Sequence, residues 1–575
     1  MNDGIYRICS GRFFIYAIIG CLLTCIAIAQ ANRSQPSPLP DQVIVDPEHP
    51  QWFKRQGGSH LFLCGPGDPE GFLYRGKRNP DGTRDGDQMR IINNLARHGG
   101  NTLYMIAVRT HGGDAWKDKR DDPAVYPDDL HNPWFEQDPK KGLNEAILKQ
   151  WDAWLTELDR HKIVVFFFIF DDAIDVAKQF SWALDARGNL HPDEKVFVQS
   201  LVNRFEHHRN LVWCVMEEGQ EIGADWQRHI SKIAETIREA DDHRHPIASH
   251  QLGGNVFFHA DDPNIDQFAI QTKGDQVVTR ETFHEWLVEA WRNAAGRYGL
   301  NMSEDMHHHQ LCENGDRAGV RQRNWAAAMA GTYVMVFGID GARTPADWMQ
   351  DCRRLQQFFE STDFYRMGNA DELKHGETEF VLAAPGRSYI VYSSGANKSL
   401  GLKSVPAGEY DLRWFDCVTG QRIEQIGMRL GNGDQSWPKP QGLGGEVALY
   451  LKHRGSETES TEAKTITKRE AGSSSLSNRA VIVADKTYRT QVNTPIDLQL
   501  SYTDPDGGPG PYNVSIIAPP KSGVLSGAGN DLTYTPRRGF IGKDSFTWRV
   551  NDGGKDSTIA TVKITVERAR AGGND

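Results

Sequence analysis

Cysteine is scarce and scattered. The chain has 575 residues and eight cysteines, and Cys9, Cys21 and Cys25 fall in the first thirty residues. The other five, Cys64, Cys214, Cys312, Cys352 and Cys417, form an odd, widely spaced set, which excludes a disulfide framework. Cys64, Cys214 and Cys312 lie in apolar runs and read as small buried hydrophobes. Basic runs are also missing. The formal net charge is -11, and phosphate binding needs clustered Lys and Arg, so a nucleic-acid partner is excluded. No G-x-S-x-G elbow occurs. HEWLV at 284–288 begins like a zinc-protease helix but carries Val288 in place of the second ligand. GPGDPEG at 65–71 precedes no helical pattern, so it is no phosphate loop. Three consecutive histidines, His307 to His309, cannot all face one ion from an extended chain. No metal and no cofactor is assigned.

Long apolar runs are absent but for FFIYAIIGCLLTCIAIA at 13–29. Arg7 and Arg12 precede it and AQA at 29–31 follows, so 1–31 reads as a secretory signal peptide. The run is short for a spanning helix. IIGC at 18–21 resembles a lipoprotein cleavage box, which leaves lipidation on Cys21 open. The expected location is therefore secreted, cell-surface or periplasmic.

Short apolar runs alternate with amphipathic helical patterns from about 60 to 360. The runs are HLFLCG (60–65), NTLYMIAV (101–108), KIVVFFFIF (162–170), NLVWCVM (210–216), HPIASH (245–250), DQFAIQ (266–271), HQLCE (309–313) and TYVMVFGI (332–339). Between them, Ile147, Leu148, Trp151, Leu155 and Leu158 keep helical spacing, as do Ile230, Ile233 and Ile237. Strand–helix alternation implies a parallel sheet, and eight such units predict an α/β fold, a (β/α)₈ TIM barrel over 32–371. The link between the fifth and sixth strands, QLGGNVFFHADDPN, is too broken for a full helix. After it come two all-β sandwich domains, 372–454 and 480–567. They flank a polar linker at 455–479, and the tail 568–575 reads as disordered.

Working residues of such a barrel sit at the C-terminal ends of its strands. Those ends carry Asp171 and Asp172, Glu217 and Glu218, His250, Gln271, Glu313 and Asp340. Only the fourth and seventh predicted strands place a glutamate there. Two carboxylates facing one another across a barrel mouth are what glycosidic bond cleavage needs, one as proton donor and one as nucleophile or base. Successive strand side chains point to opposite faces, so a regular strand turns at most one of Glu217 and Glu218 inward.

The arrangement resembles the clan of retaining glycoside hydrolases with the acid/base on strand four and the nucleophile on strand seven. Within it, the chain is similar to the apiosidase-like family. That family's fourth strand ends in Asn-Glu; here NLVWCVMEE carries Glu217 where the Asn would stand and Glu218 at the donor position. CENG matches the seventh-strand glutamate with Glu313, and NWAAAMAGTYVMVFGIDG at 324–341 looks like the last barrel unit. The resemblance implies Glu218 as acid/base and Glu313 as nucleophile, with Glu217, Asp171, His250, Gln271 and Asp340 lining the sugar site. The Asn-to-Glu departure removes a hydrogen-bond donor and puts two like charges side by side. The expected substrate is a poly- or oligosaccharide. The competing reading is a non-catalytic protein that binds extracellular matrix or cell-surface glycan.

LRWFDCVTGQ at 412–421 resembles the small β-domain that accompanies these barrels and carries a collagen-binding label; scaffolding is the competing role. YTPRRGFIGKDSFTWRVNDGGKDSTIATVKITV at 534–566 resembles bacterial immunoglobulin- or cadherin-like repeats. There Asp504, Asp506 and Asp552 offer hard oxygen donors for calcium, against an ordinary acidic turn. Trp116, Trp134 and Trp348 are candidate sugar-stacking rings, against core packing.

Overall fold

The structure, a computed structural model, describes residues 37–67, 70–109, 131–171, 182–272, 278–455, 481–503, 513–528, 531–551 and 557–568. The predicted signal peptide, residues 456–479 of the predicted linker, Asp172, Trp116 and the three calcium candidates lie outside these residues.

Eight strands follow one another around a barrel: Cys64–Pro66, Thr102–Val108, Val164–Phe170, Leu211–Met216, Ile247–Gln251, Gln267–Gln271, Gly299–Glu304 and Tyr333–Val336. Neighbours pair in parallel from the second strand round to the eighth, and the eighth pairs with the first. Every residue of the second, third and fourth strands is buried, which is why they read as unbroken apolar runs.

The seam between strands one and two carries no ladder. There the Asn101 side chain stands in for a peptide group, its Oδ1 accepting from the Cys64 N–H at 2.9 Å and its Nδ2 donating to the Phe62 carbonyl at 2.9 Å. Gly65 permits the approach, because a Cβ there would fall 2.1 Å from the Thr102 carbonyl oxygen.

The helices lie outside the barrel as the periodicity predicts. Glu145–Arg160 starts where Asn144 accepts from the Ala146 N–H, and it buries Ile147, Leu148, Trp151, Leu155 and Leu158. Each such side chain contributes about 1.5–3 kcal/mol. No helix forms between strands five and six, as expected of that broken link.

The seventh strand requires a correction. It is Gly299–Glu304, not 309–313. Residues Met306–Glu313 form a helix capped by Asp305, whose side chain accepts from the His307 N–H. Glu313 therefore ends a helix, with its side chain 44 % exposed and 3.9 Å from His309 Nδ1. Glu304 stands at the strand end.

Past the barrel, antiparallel sheets of six and three strands enclose a second core that includes Val381, Leu400, Trp414 and Leu449. Its outer face packs on the barrel. Tyr392 stacks on Trp325 with ring centroids 5.1 Å apart, and Glu446 makes a buried ion pair with Arg321 at 2.7 Å. Residues 462–575 form a separate compact unit. In it, sheets of four and three strands close over Leu498, Tyr534, Phe546 and Trp548. No helix of the described residues is long and apolar enough to cross a membrane.

Candidate active site

Glu217 continues the ladder, its N–H donating to the Phe170 carbonyl at 3.1 Å. Glu218 then leaves strand geometry, at φ 42°, ψ 46°. That left-handed turn lets both acids face one pocket. Glu217 places a carboxylate oxygen within 4.8 Å of donor atoms on His250 and Glu304. Glu218 accepts a hydrogen bond from Gln271 Nε2 at 2.7 Å.

A second irregularity aims Glu304. Asn301 and Ser303 point into the barrel, where both meet the Tyr104 hydroxyl. Strict alternation would turn residue 304 outward. Instead, Ile270 pairs with Met302 while Gln271 pairs with Glu304, so Ser303 is bulged and the next side chain swings in beside Gln271. The following turn is locked. Glu304 accepts through its carbonyl from the Thr272 N–H at 2.8 Å. Asp305 accepts from Thr272 Oγ1 at 3.1 Å and from Arg323. Burial pushes the Asp305 carboxyl up, but His308 and Arg323 outweigh it and hold it below the usual range. Burial lowers His308 to about 4, against the pull of Asp305.

Gln271 joins the two acids. Its Oε1 accepts from the Gly253 N–H at 2.9 Å, which fixes the amide's orientation. Its Nε2 then donates to Glu218 Oε1 at 2.7 Å and to Glu304 Oε2. Two contacts on one nitrogen hold those oxygens within about 5 Å of one another. His250 Nδ1 accepts from the Glu218 N–H at 3.3 Å, and its Nε2 lies 4.0 Å from Glu304 Oε1. Glu217, Glu218, His250, Gln271 and Glu304 thus converge, four of them sequence candidates.

Other candidates lie elsewhere in the hydrogen-bond network. Asp171 is fully buried, 3.8 Å from Arg109 Nε, a partner the sequence did not single out. Asp340 accepts from the N–H groups of Ala342 and Arg343 and faces Arg75 at 3.5 Å. Trp134 is a core residue, packed against Trp182 and Phe197. His284, of the zinc-protease-like HEWLV, is buried and bonded to the Ala326 carbonyl and to Asp371.

Glu304 and Tyr104 escaped the sequence reading. A signal was present, since Tyr298, Leu300 and Met302 alternate with Gly299, Asn301 and Ser303 at the period of a strand.

Residues 101–350 match the apiosidase-like catalytic domain family, and residues 478–565 match the bacterial Ig domain family. No curated protein matches the chain. Among solved structures, a glycoside hydrolase of family 5 from Bacteroides vulgatus aligns with TM-score 0.52 and 13% identity, covering 73% of this chain and 95% of that one. A second glycoside hydrolase structure from the same organism aligns with TM-score 0.50 and 14% identity, over 72% of this chain and 82% of that one. At such identities the likeness shows the fold.

Proposed function

The barrel is an apiosidase-like catalytic domain of a glycosidase, and from that premise we propose an exported enzyme that cleaves a glycosidic bond with retention, Glu218 acting as acid/base and Glu304 as nucleophile. The observation that supports the reading is the Gln271 bridge, which holds one oxygen of each carboxylate within about 5 Å of the other, closer than the roughly 6.5–9.5 Å of inverting pairs. Glu304 takes the role that the resemblance gave to Glu313, because it is the glutamate that ends strand seven.

In the first step a Glu304 oxygen bonds to the anomeric carbon as the bond to the leaving oxygen breaks, and Glu218 gives that oxygen its proton. In the second, Glu218 takes a proton from water, and the hydroxide displaces Glu304 from the sugar. Glu218 suits the donor role better than Glu217, being only partly buried at the mouth where a leaving group departs. Glu217 and His250 lie deeper and suit sugar hydroxyls. Leu252, Val256 and Phe258, exposed on the loop after strand five, offer apolar area for a sugar face. The substrate would be a poly- or oligosaccharide met outside the cytoplasm, given the leader-like segment 1–31. The β-domain at 372–454 serves as a scaffold, supported by its Trp325–Tyr392 and Arg321–Glu446 contacts with the barrel.

The test is hydrolysis of a panel of aryl glycosides and plant or algal polysaccharides. Glu218→Gln and Glu304→Gln should each lower the rate by about a thousandfold, while Glu313→Gln stays within about twofold of wild type. NMR of the first-formed product should show the substrate's anomeric configuration. Full activity in Glu304→Gln would end the assignment. A wild type that binds a glycan but hydrolyses none would favour a non-catalytic scaffold.

A further inference from the structure

Among the described residues, two triplets of side chains bring donor atoms within 4.8 Å of one another: Glu217, His250 and Glu304, and Asp152, His207 and His208. Histidine tautomers separate them. His250 Nδ1 accepts from the Glu218 N–H, so the neutral ring carries its proton on Nε2, the atom that faces Glu304. That nitrogen has no lone pair for a metal. At the second triplet the order is reversed. His208 Nδ1 lies 3.3 Å from Asp159 Oδ2 while Nε2 faces Asp152, and a carboxylate only accepts, so a neutral ring can donate to one of the two; we take the tautomer that donates to Asp159, with the proton on Nδ1. The lone pair of a neutral His208 then sits on Nε2, aimed at Asp152 Oδ1 from 2.9 Å. Lone pair against carboxylate oxygen is repulsive unless a cation or a second proton lies between them. His207 Nε2 approaches the same oxygen at 3.2 Å.

The spacing suits an ion. Zinc bonds of about 2.0–2.2 Å at tetrahedral angles put neighbouring ligand atoms about 3.3 Å apart. Asp159 supplies the carboxylate that orients a ligating imidazole. It is itself fixed by the N–H groups of Arg209 at 3.0 Å and Asn210 at 3.1 Å, and by the Asn210 side chain at 2.7 Å. Arg204 stands 3.7 Å from Asp152 Oδ2, the other oxygen, and leaves Oδ1 for the ion. The His208 side chain is 3% exposed and that of His207 52%, so a fourth position would open to water.

We propose that Asp152, His207 and His208 form a binding site for a divalent transition-metal ion of the zinc class, oriented by Asp159. The site ties helix Glu145–Arg160 to the turn before strand four, at the end of the barrel where strands begin. That end of such barrels serves stability rather than chemistry.

The full chain, stripped with a chelator, is titrated with zinc chloride by calorimetry and followed by thermal unfolding. Wild type should show a saturable site with Kd below about 100 µM, and zinc should raise its unfolding midpoint. His207→Ala, at a half-exposed position, should fold normally and lose at least about tenfold in affinity, with the midpoint no longer responding. Asp159→Asn should weaken binding by about 10–100-fold. If wild type shows no such site, or if either variant binds zinc as wild type does, the proposal is overturned.

Discussion

Glu218 adopts a backbone conformation that costs a residue with a Cβ about 1–2 kcal/mol. Such strain persists where surrounding structure over-determines it, and it clusters at working sites. Here it is what turns a second carboxylate into a pocket that strand geometry would close to it. Glu218→Gly should relieve the strain while losing the bond to Gln271, whereas Glu218→Ala loses the bond and keeps the strain. Urea unfolding should therefore find the glycine variant the more stable by about 1 kcal/mol, both being inactive. Equal midpoints, or a more stable alanine variant, would show that the backbone there is not under load.

Among the elements, apolar strands such as VVFFFIF and LVWCVM were legible because both their faces are buried. The seventh strand was not. Its inward residues Asn301 and Ser303 serve Tyr104, so the barrel interior is polar at that layer and GLNMSE lacks the apolar run of its neighbours, leaving only its weak alternation as a signal. Leu311 and Cys312 drew the strand assignment towards them, yet they belong to a helix that packs against the barrel. Glu218 at the end of strand four was legible, but the glutamate at the end of strand seven is Glu304 and not Glu313, nine residues on, and the one-residue bulge that turns it inward leaves no mark in a single sequence. Contact between barrel and β-domain was likewise invisible, because Arg321 and Glu446 lie 125 residues apart. Removing Glu446 leaves the buried Arg321 charge with Asp351 alone, at 3.4 Å, so Glu446→Ala should cost about 3 kcal/mol of stability in denaturant unfolding. A loss below about 1 kcal/mol would mean that water reaches the pair.

At the scale of the whole molecule, the chain divides its stability between two units. Residues 1–461 hold the barrel and first β-domain around adjoining cores, and residues 462–575 have a core of their own. A chain ending at residue 455 should keep wild-type hydrolysis and unfold within about 2 °C of the corresponding transition in the full protein. A larger drop would reveal that the last module supports the first unit. Within the barrel, seven pairings between neighbouring strands form the hoop, and Asn101 is its clasp. A gene re-cut so that new termini fall just before Asn101 would sever no ladder, so the ring has one place where it opens without loss of a strand pairing.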